Sequence, residues 1–95
     1  MEIKKELNEG TIILKIIGRL DTNTAPLLDE ELKVLTASAK LTIDFSELDY
    51  ISSAGLRLLL VAKKKFGDSF ILKGVKEDVM DVLEMTGFTD ILTIE

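Results

Sequence analysis

Two adjacent serines, Ser52 and Ser53, sit where an apolar, strand-like segment gives way to a helix-like one. Either hydroxyl can accept a hydrogen bond from the free N–H groups of a helix's first turn, and serine is among the preferred caps. Neither serine is followed three residues on by Glu or Gln, so the capping-box pattern is absent. Gly55 falls in the same first turn, although glycine costs roughly 0.8–1 kcal/mol relative to alanine in a helix interior. A glycine beside an exposed hydroxyl permits close approach by another backbone, as a modifying enzyme would need. The serines are therefore read as helix caps or as acceptors of a modification.

Catalysis by the serines is excluded by what surrounds them. The chain has no histidine and no cysteine, which removes the usual general base, the commonest metal ligand, thiolate chemistry and disulfides. No phosphate-cradling GxxxxGKS run appears, and no nucleophile stands beside a recognisable base. No catalytic residue, metal site or cofactor is expected. Net charge is −5, from 12 basic and 17 acidic residues, which opposes nucleic-acid binding. The one basic cluster, Lys63-Lys64-Lys65, follows an apolar run and reads as a solvated helix terminus favoured by the dipole. The opening residues are too polar for a signal peptide, and no apolar run approaches the roughly 20 residues of a membrane span. A cytoplasmic protein without membrane contact is expected.

Ninety-five residues, 46% hydrophobic, suffice for one core, so residues 1–95 are read as a single domain. Glu2 to Leu7 is a strand candidate, turned by Asn8-Glu9-Gly10 into a second strand. That second strand, Ile12 to Ile17, is almost continuously β-branched, as suits a strand covered on both faces. Gly18 to Asn23 reads as a loop. Ala25 to Thr36 reads as a helix with Thr24 as its cap, Pro26 in its first turn and Leu28, Leu32 and Leu35 at helical spacing. Leu41 to Phe45 alternates like a strand, and a loop is expected from there to Ile51. Leu56, Leu59, Leu60 and Lys63 mark a helix ended by Gly67, and Phe70 to Leu72 is a short strand. Glu77 to Thr86 is a third helix, with Val79, Val82 and Leu83 on its inner stripe and Gly87 as its stop; Ile91 to Ile94 is the last strand. The order β-β-α-β-α-β-α-β implies an α/β fold, a mixed, mostly parallel sheet of about five strands packed with helices.

The stretch Ile51-Ser52-Ser53-Ala54-Gly55-Leu56-Arg57 resembles the signature of STAS domains, especially the anti-sigma factor antagonists of bacterial partner switching. A second stretch, Gly18-Arg19-Leu20-Asp21-Thr22-Asn23-Thr24-Ala25-Pro26, resembles the family's first conserved loop. The element order agrees from end to end. On this resemblance Ser53, two before the glycine, is the phosphoacceptor, with Ser52 the alternative, and Asp21 is associated with phosphorylation. Ser52 stands where many members have aspartate, and Ala54 lacks the usual hydroxyl. The resemblance implies a regulator of sigma-factor-dependent transcription. Its partners would be an anti-sigma factor that is also a serine kinase and a serine phosphatase that resets the cycle. The expected partner-binding set is Asp21, Thr22, Asn23, Asp49, Tyr50, Ser52, Ser53, Ala54, Gly55 and Arg57. Asp21, Asp49 and Asp44 are the carboxylates expected near the serines.

A phosphate adds about −1.5 to −2 charges. A helix N-terminus tolerates that charge, whereas a docked partner must desolvate it. A coupling of about 1.4–3 kcal/mol would change affinity tenfold to over a hundredfold. The competing reading on the same fold is a constitutive STAS adaptor in a transporter or a stressosome-like assembly.

Overall fold

Glu9 and Gly10 both take positive φ, 50° and 82°, between the paired residues Asn8 and Thr11. Positive φ at both central residues is the two-residue hairpin geometry that matches strand twist. It joins β1 (Glu2–Asn8) to β2 (Thr11–Leu20), and the pair is antiparallel. In the computed structural model, which describes residues 1–95, six further elements follow. They are α1 (Ala25–Val34), β3 (Lys40–Ile51), α2 (Ser53–Phe66), β4 (Phe70–Lys73), α3 (Glu77–Met85) and β5 (Thr93–Ile94). The five strands form one sheet in the order β1-β2-β3-β4-β5, and all pairings after the hairpin are parallel. The mixed, mostly parallel α/β fold is the one expected from the sequence.

Each parallel strand lies beside its predecessor, so the three helical crossovers advance in one direction. Right-handed crossovers that advance one way deposit all their helices on one face. A single core of 22 buried apolar residues results. It takes Leu14 and Ile16 from β2, Leu41, Ile43 and Phe45 from β3, and Phe70 and Leu72 from β4. The intervening residues Ile13, Lys15, Ile17, Thr42, Asp44, Ile71 and Lys73 are only half-buried. The expectation that β2 is covered on both faces is thus corrected: its second face carries no helix. The N···O distance between Lys15 and Glu47 on that face is 2.6 Å.

The largest departure from the expected elements is β3, which continues through the predicted 46–51 loop to Ile51. Its pairing with β2 slips twice. Lys15 opposes Asp44 but Ile17 opposes Glu47, and Gly18 opposes Leu48 but Arg19 opposes Tyr50. Each slip places an extra residue on β3, as a β-bulge does. The inward residues Phe45, Leu48 and Ile51 therefore recur every third position and hide the two-residue strand period. Likewise β2 runs on to Leu20, where a loop was expected from Gly18. Helices α1 and α3 end slightly earlier than predicted. A 3-10 turn over Phe88–Asp90 leaves only Thr93 and Ile94 in β5.

Helix α2 lies close on the sheet at its first turn. A Cβ added to Gly55 would stand 2.8 Å from Ile51 Cγ1 and 2.8 Å from Leu20 Cγ. The approach that this glycine allows is internal, onto the ends of β2 and β3, and not the approach of another protein inferred from the sequence. A Gly55→Ala substitution should be destabilising, because overpacking of about 1–3 kcal/mol outweighs a helix-propensity gain of at most about 1 kcal/mol. Urea denaturation should show a lower midpoint with an unchanged slope; a midpoint equal to or above that of the parent would refute this packing argument.

Candidate functional site

The carboxyl ends of β2 and β3 lie side by side, with Arg19 opposite Tyr50 and Leu20 opposite Ile51. The edge beyond the carboxyl ends of parallel strands is where open α/β sheets place their sites. The Ser52 N–H donates to the Leu20 carbonyl at 2.9 Å, which ties the start of α2 to the end of β2. Here the serine loop and the 21–24 loop, far apart in sequence, become one surface.

The two serines differ in what they present. Ser52 occupies the N-cap position with extended backbone, φ −100° and ψ 177°, and makes no side-chain cap bond. Its Oγ is enclosed yet makes no hydrogen bond within the chain. Ser53, the first helical residue, is exposed. Capping by either serine side chain, one of the two readings from the sequence, does not occur. The first N–H groups of a helix have no acceptor within it, and the dipole makes that end positive.

The N-cap of α1, Thr24, makes no side-chain cap bond either, and Asp21 instead closes the turn that leads into the helix. Asp21 Oδ1 accepts the N–H groups of Asn23 at 3.0 Å and Thr24 at 3.1 Å, while its carbonyl accepts the Ala25 N–H at 2.8 Å. The Thr24 hydroxyl donates to the Arg19 carbonyl at 2.8 Å and accepts from the Asp21 N–H at 2.9 Å, so it ties the loop rather than the helix. Burial pushes the Asp21 carboxyl upward, but the Thr24 amide and hydroxyl, the Asn23 amide and the Arg19 charge together hold it below its ordinary value. Thr22 and Asn23 stand exposed beside it.

Arg19 bridges the two halves of the surface. Its guanidinium carbon lies 4.2 Å from the centre of the Tyr50 ring, a cation–π distance, and its Nε lies 3.8 Å from Asp21 Oδ2. Tyr50 remains 42% exposed. Asp49 points to the other flank and pairs with Lys76 Nζ at 2.7 Å. A cleft of about 150 Å³ between α1 and α2 is lined by Thr22, Ala25, Pro26, Asp29, Ala54, Arg57 and Leu58. On the opposite side of the serine loop a cleft of about 250 Å³ includes Asp49, Tyr50, Asp78 and Val82.

The structure therefore brings Asp21, Thr22, Asn23, Asp49, Tyr50, Ser52, Ser53, Ala54 and Arg57 to one end of the sheet. Gly55 lies there too, buried beneath the surface. Asp44 does not join them. It lies mid-strand on the helix-free face between Lys15 and Lys73, seven residues before Ile51, or about 20 Å along the strand. Its carboxyl, pushed up by burial, is held low by the Ser46 amide and hydroxyl and by both lysines. Arg19, Asp29 and Lys76 were not among the expected site residues. Their places depend on the β2–β3 register and on helix packing, for which the linear sequence has no signal.

A profile of the STAS domain family matches residues 2–95. The chain belongs to that family. The anti-sigma-B factor antagonist of Bacillus subtilis (strain 168) is 33% identical to this STAS chain over 91 residues, which cover 92% of the chain and 84% of the relative. In three dimensions the chain is similar to an anti-sigma factor antagonist from Mycobacterium paratuberculosis, with a TM-score of 0.88 at 23% identity over 98% of this chain and 83% of that one. The antagonist SpoIIAA, 16% identical over 99% of this chain, gives TM-scores of 0.81 unphosphorylated and 0.73 phosphorylated, covering 88% and 91% of those chains. The STAS fold is thus reached by sequence and structure together, and the antagonist family by sequence. No helix of the chain is long and apolar enough to cross a membrane.

A depressed carboxyl contributes stability that is present above its unfolded value and is lost as the pH falls through its folded one. For Asp21 that loss begins near the ordinary value of 3.8 and continues below it. An Asp21→Asn variant keeps an acceptor for the Asn23 and Thr24 amides but cannot titrate. Its thermal midpoint should decline less steeply than the parent's between about pH 4 and pH 2; parallel declines would show that Asp21 is not coupled to folding.

Proposed function

We propose that this STAS domain is a phosphorylation-controlled binding switch. Unphosphorylated, it sequesters an anti-sigma factor serine kinase; phosphorylated on Ser53, it releases that partner and so regulates sigma-factor-dependent transcription. The reading rests above all on the exposed Ser53 hydroxyl at the start of α2, in a chain that belongs to the STAS family. The relatives named as anti-sigma factor antagonists, and the solved phosphorylated form of SpoIIAA, support the class of partner and the type of control.

The choice of Ser53 over Ser52 follows from access. Phosphoryl transfer needs the attacking oxygen in line with the ATP γ-phosphorus, its proton passing to the kinase and ADP leaving. Ser52 Oγ is enclosed and cannot be approached without opening the start of α2, whereas Ser53 is exposed. Asp21, Thr22, Asn23, Asp49, Tyr50, Ala54 and Arg57 surround Ser53 and form the proposed docking surface. Gly55 supports that surface from beneath. The domain is then a substrate of the kinase and of a resetting serine phosphatase, not an enzyme, and it works in the cytoplasm without a cofactor.

The phosphate is well placed for the fold and badly placed for the complex. The N-terminal dipole of α2 favours the added charge, so the modified domain should stay folded. A partner docked over Ser53 would have to desolvate that charge or meet it with its own carboxylates.

Immobilised wild type and Ser53→Asp, exposed to lysate of the source organism and read by mass spectrometry, should differ in one partner. A kinase-type anti-sigma factor should be retained by wild type and depleted at least tenfold by Ser53→Asp. Equal retention, or retention of transporter components by both, would replace the switch with the constitutive adaptor.

A further inference from the structure

We infer that Arg57 is the counter-charge of a phosphate on Ser53, so that modification redirects this guanidinium as well as adding negative charge. The inference rests on the proposed modification of Ser53 but not on the identity of any partner. Ser53 and Arg57 are four residues apart on α2, which places their side chains one above the other on a single helix face. The anion lies on the N-terminal side of the cation, the more favourable order for such a pair.

The other cations on this surface are already engaged. Arg19 stacks on Tyr50 and faces Asp21. Lys76 pairs with Asp49 at 2.7 Å, and Lys33 with Asp29 at 3.2 Å. Asp21 is turned onto the amides of its own loop. Arg57 enters none of the ion pairs of the chain and none of its side-chain hydrogen bonds. It is an exposed, uncommitted cation at the rim of the α1–α2 cleft, which is also lined by Ala54, the chain neighbour of Ser53. A guanidinium can grip two phosphate oxygens at once, which an ammonium cannot.

The consequence concerns the surface as well as the charge. In the free form Arg57 lines the cleft shared by Thr22, Ala25, Pro26, Asp29, Ala54 and Leu58. Drawn to the phosphate, it leaves that rim, and the cleft beside the switch serine changes its outline. Phosphorylation would thereby alter two adjoining features of the docking surface through one side chain.

The test uses the full chain with phosphoserine genetically encoded at position 53 and needs no kinase. The second ionisation of its phosphate, ordinarily near pH 6, is followed by phosphorus NMR at low salt. Arg57→Gln should raise that midpoint by about 0.15–0.4 pH unit, Arg57→Lys by less, and 1 M salt should erase the difference. The helix dipole acts in every variant and cancels from the comparison. Arg19→Gln should leave the midpoint in place. An unchanged midpoint in Arg57→Gln, or a shift caused by Arg19→Gln alone, would overturn the assignment. Either result would leave the Ser53→Asp capture experiment to decide the switch itself.

Discussion

The close seat of α2 on the ends of β2 and β3 governs the functional end of this domain. Gly55 leaves room for Leu20 and Ile51 against the first turn of the helix, at distances where a side chain would collide. The Ser52 amide is drawn onto the Leu20 carbonyl by the same approach, and the Ser52 side chain is enclosed with it. One residue later the helix begins and Ser53 faces outward. Two chemically identical hydroxyls thus acquire different access. The turn that Asp21 closes before α1 is held beside them by the pairing of Leu20 with Ile51.

Electrostatics then separates what the fold tolerates from what a complex tolerates. The start of α2 is the positive end of a 14-residue helix, and a negative group there is stabilised by about 0.3–1 kcal/mol at an exposed site. A phosphate on Ser53, as proposed, would therefore not oppose the fold. The gain is small beside the cost of burying a doubly charged phosphate in an interface without compensating partners. On the proposed reading, this asymmetry is what would make the phosphate a two-state signal.

Much of this was legible in the sequence. The hairpin turn, the helices starting at Ala25 and Glu77, the stop at Gly67 and the parallel order of strands all follow from local residue chemistry and alternation. The bulged half of β3 was not legible, because Phe45, Leu48 and Ile51 at three-residue spacing mimic neither a strand nor a helix. Coverage of β2 was misjudged for a related reason. Its isoleucines satisfy the pattern of a doubly buried strand, but the one-way order of crossovers leaves their second face without a helix. At the site, the two loops were found by motif resemblance. The engagement of Arg19 by Tyr50, of Lys76 by Asp49 and of Gly55 by Leu20 required the register and the packing.

The central claim is that the packing of α2 selects Ser53 as the modified hydroxyl. Its most direct test is phosphosite mapping by fragmentation mass spectrometry on the protein isolated from its source with phosphatases blocked. The account predicts phosphate on Ser53, with Ser52 unmodified even in Ser53→Ala. Phosphate on Ser52, in the parent or in that variant, would contradict it.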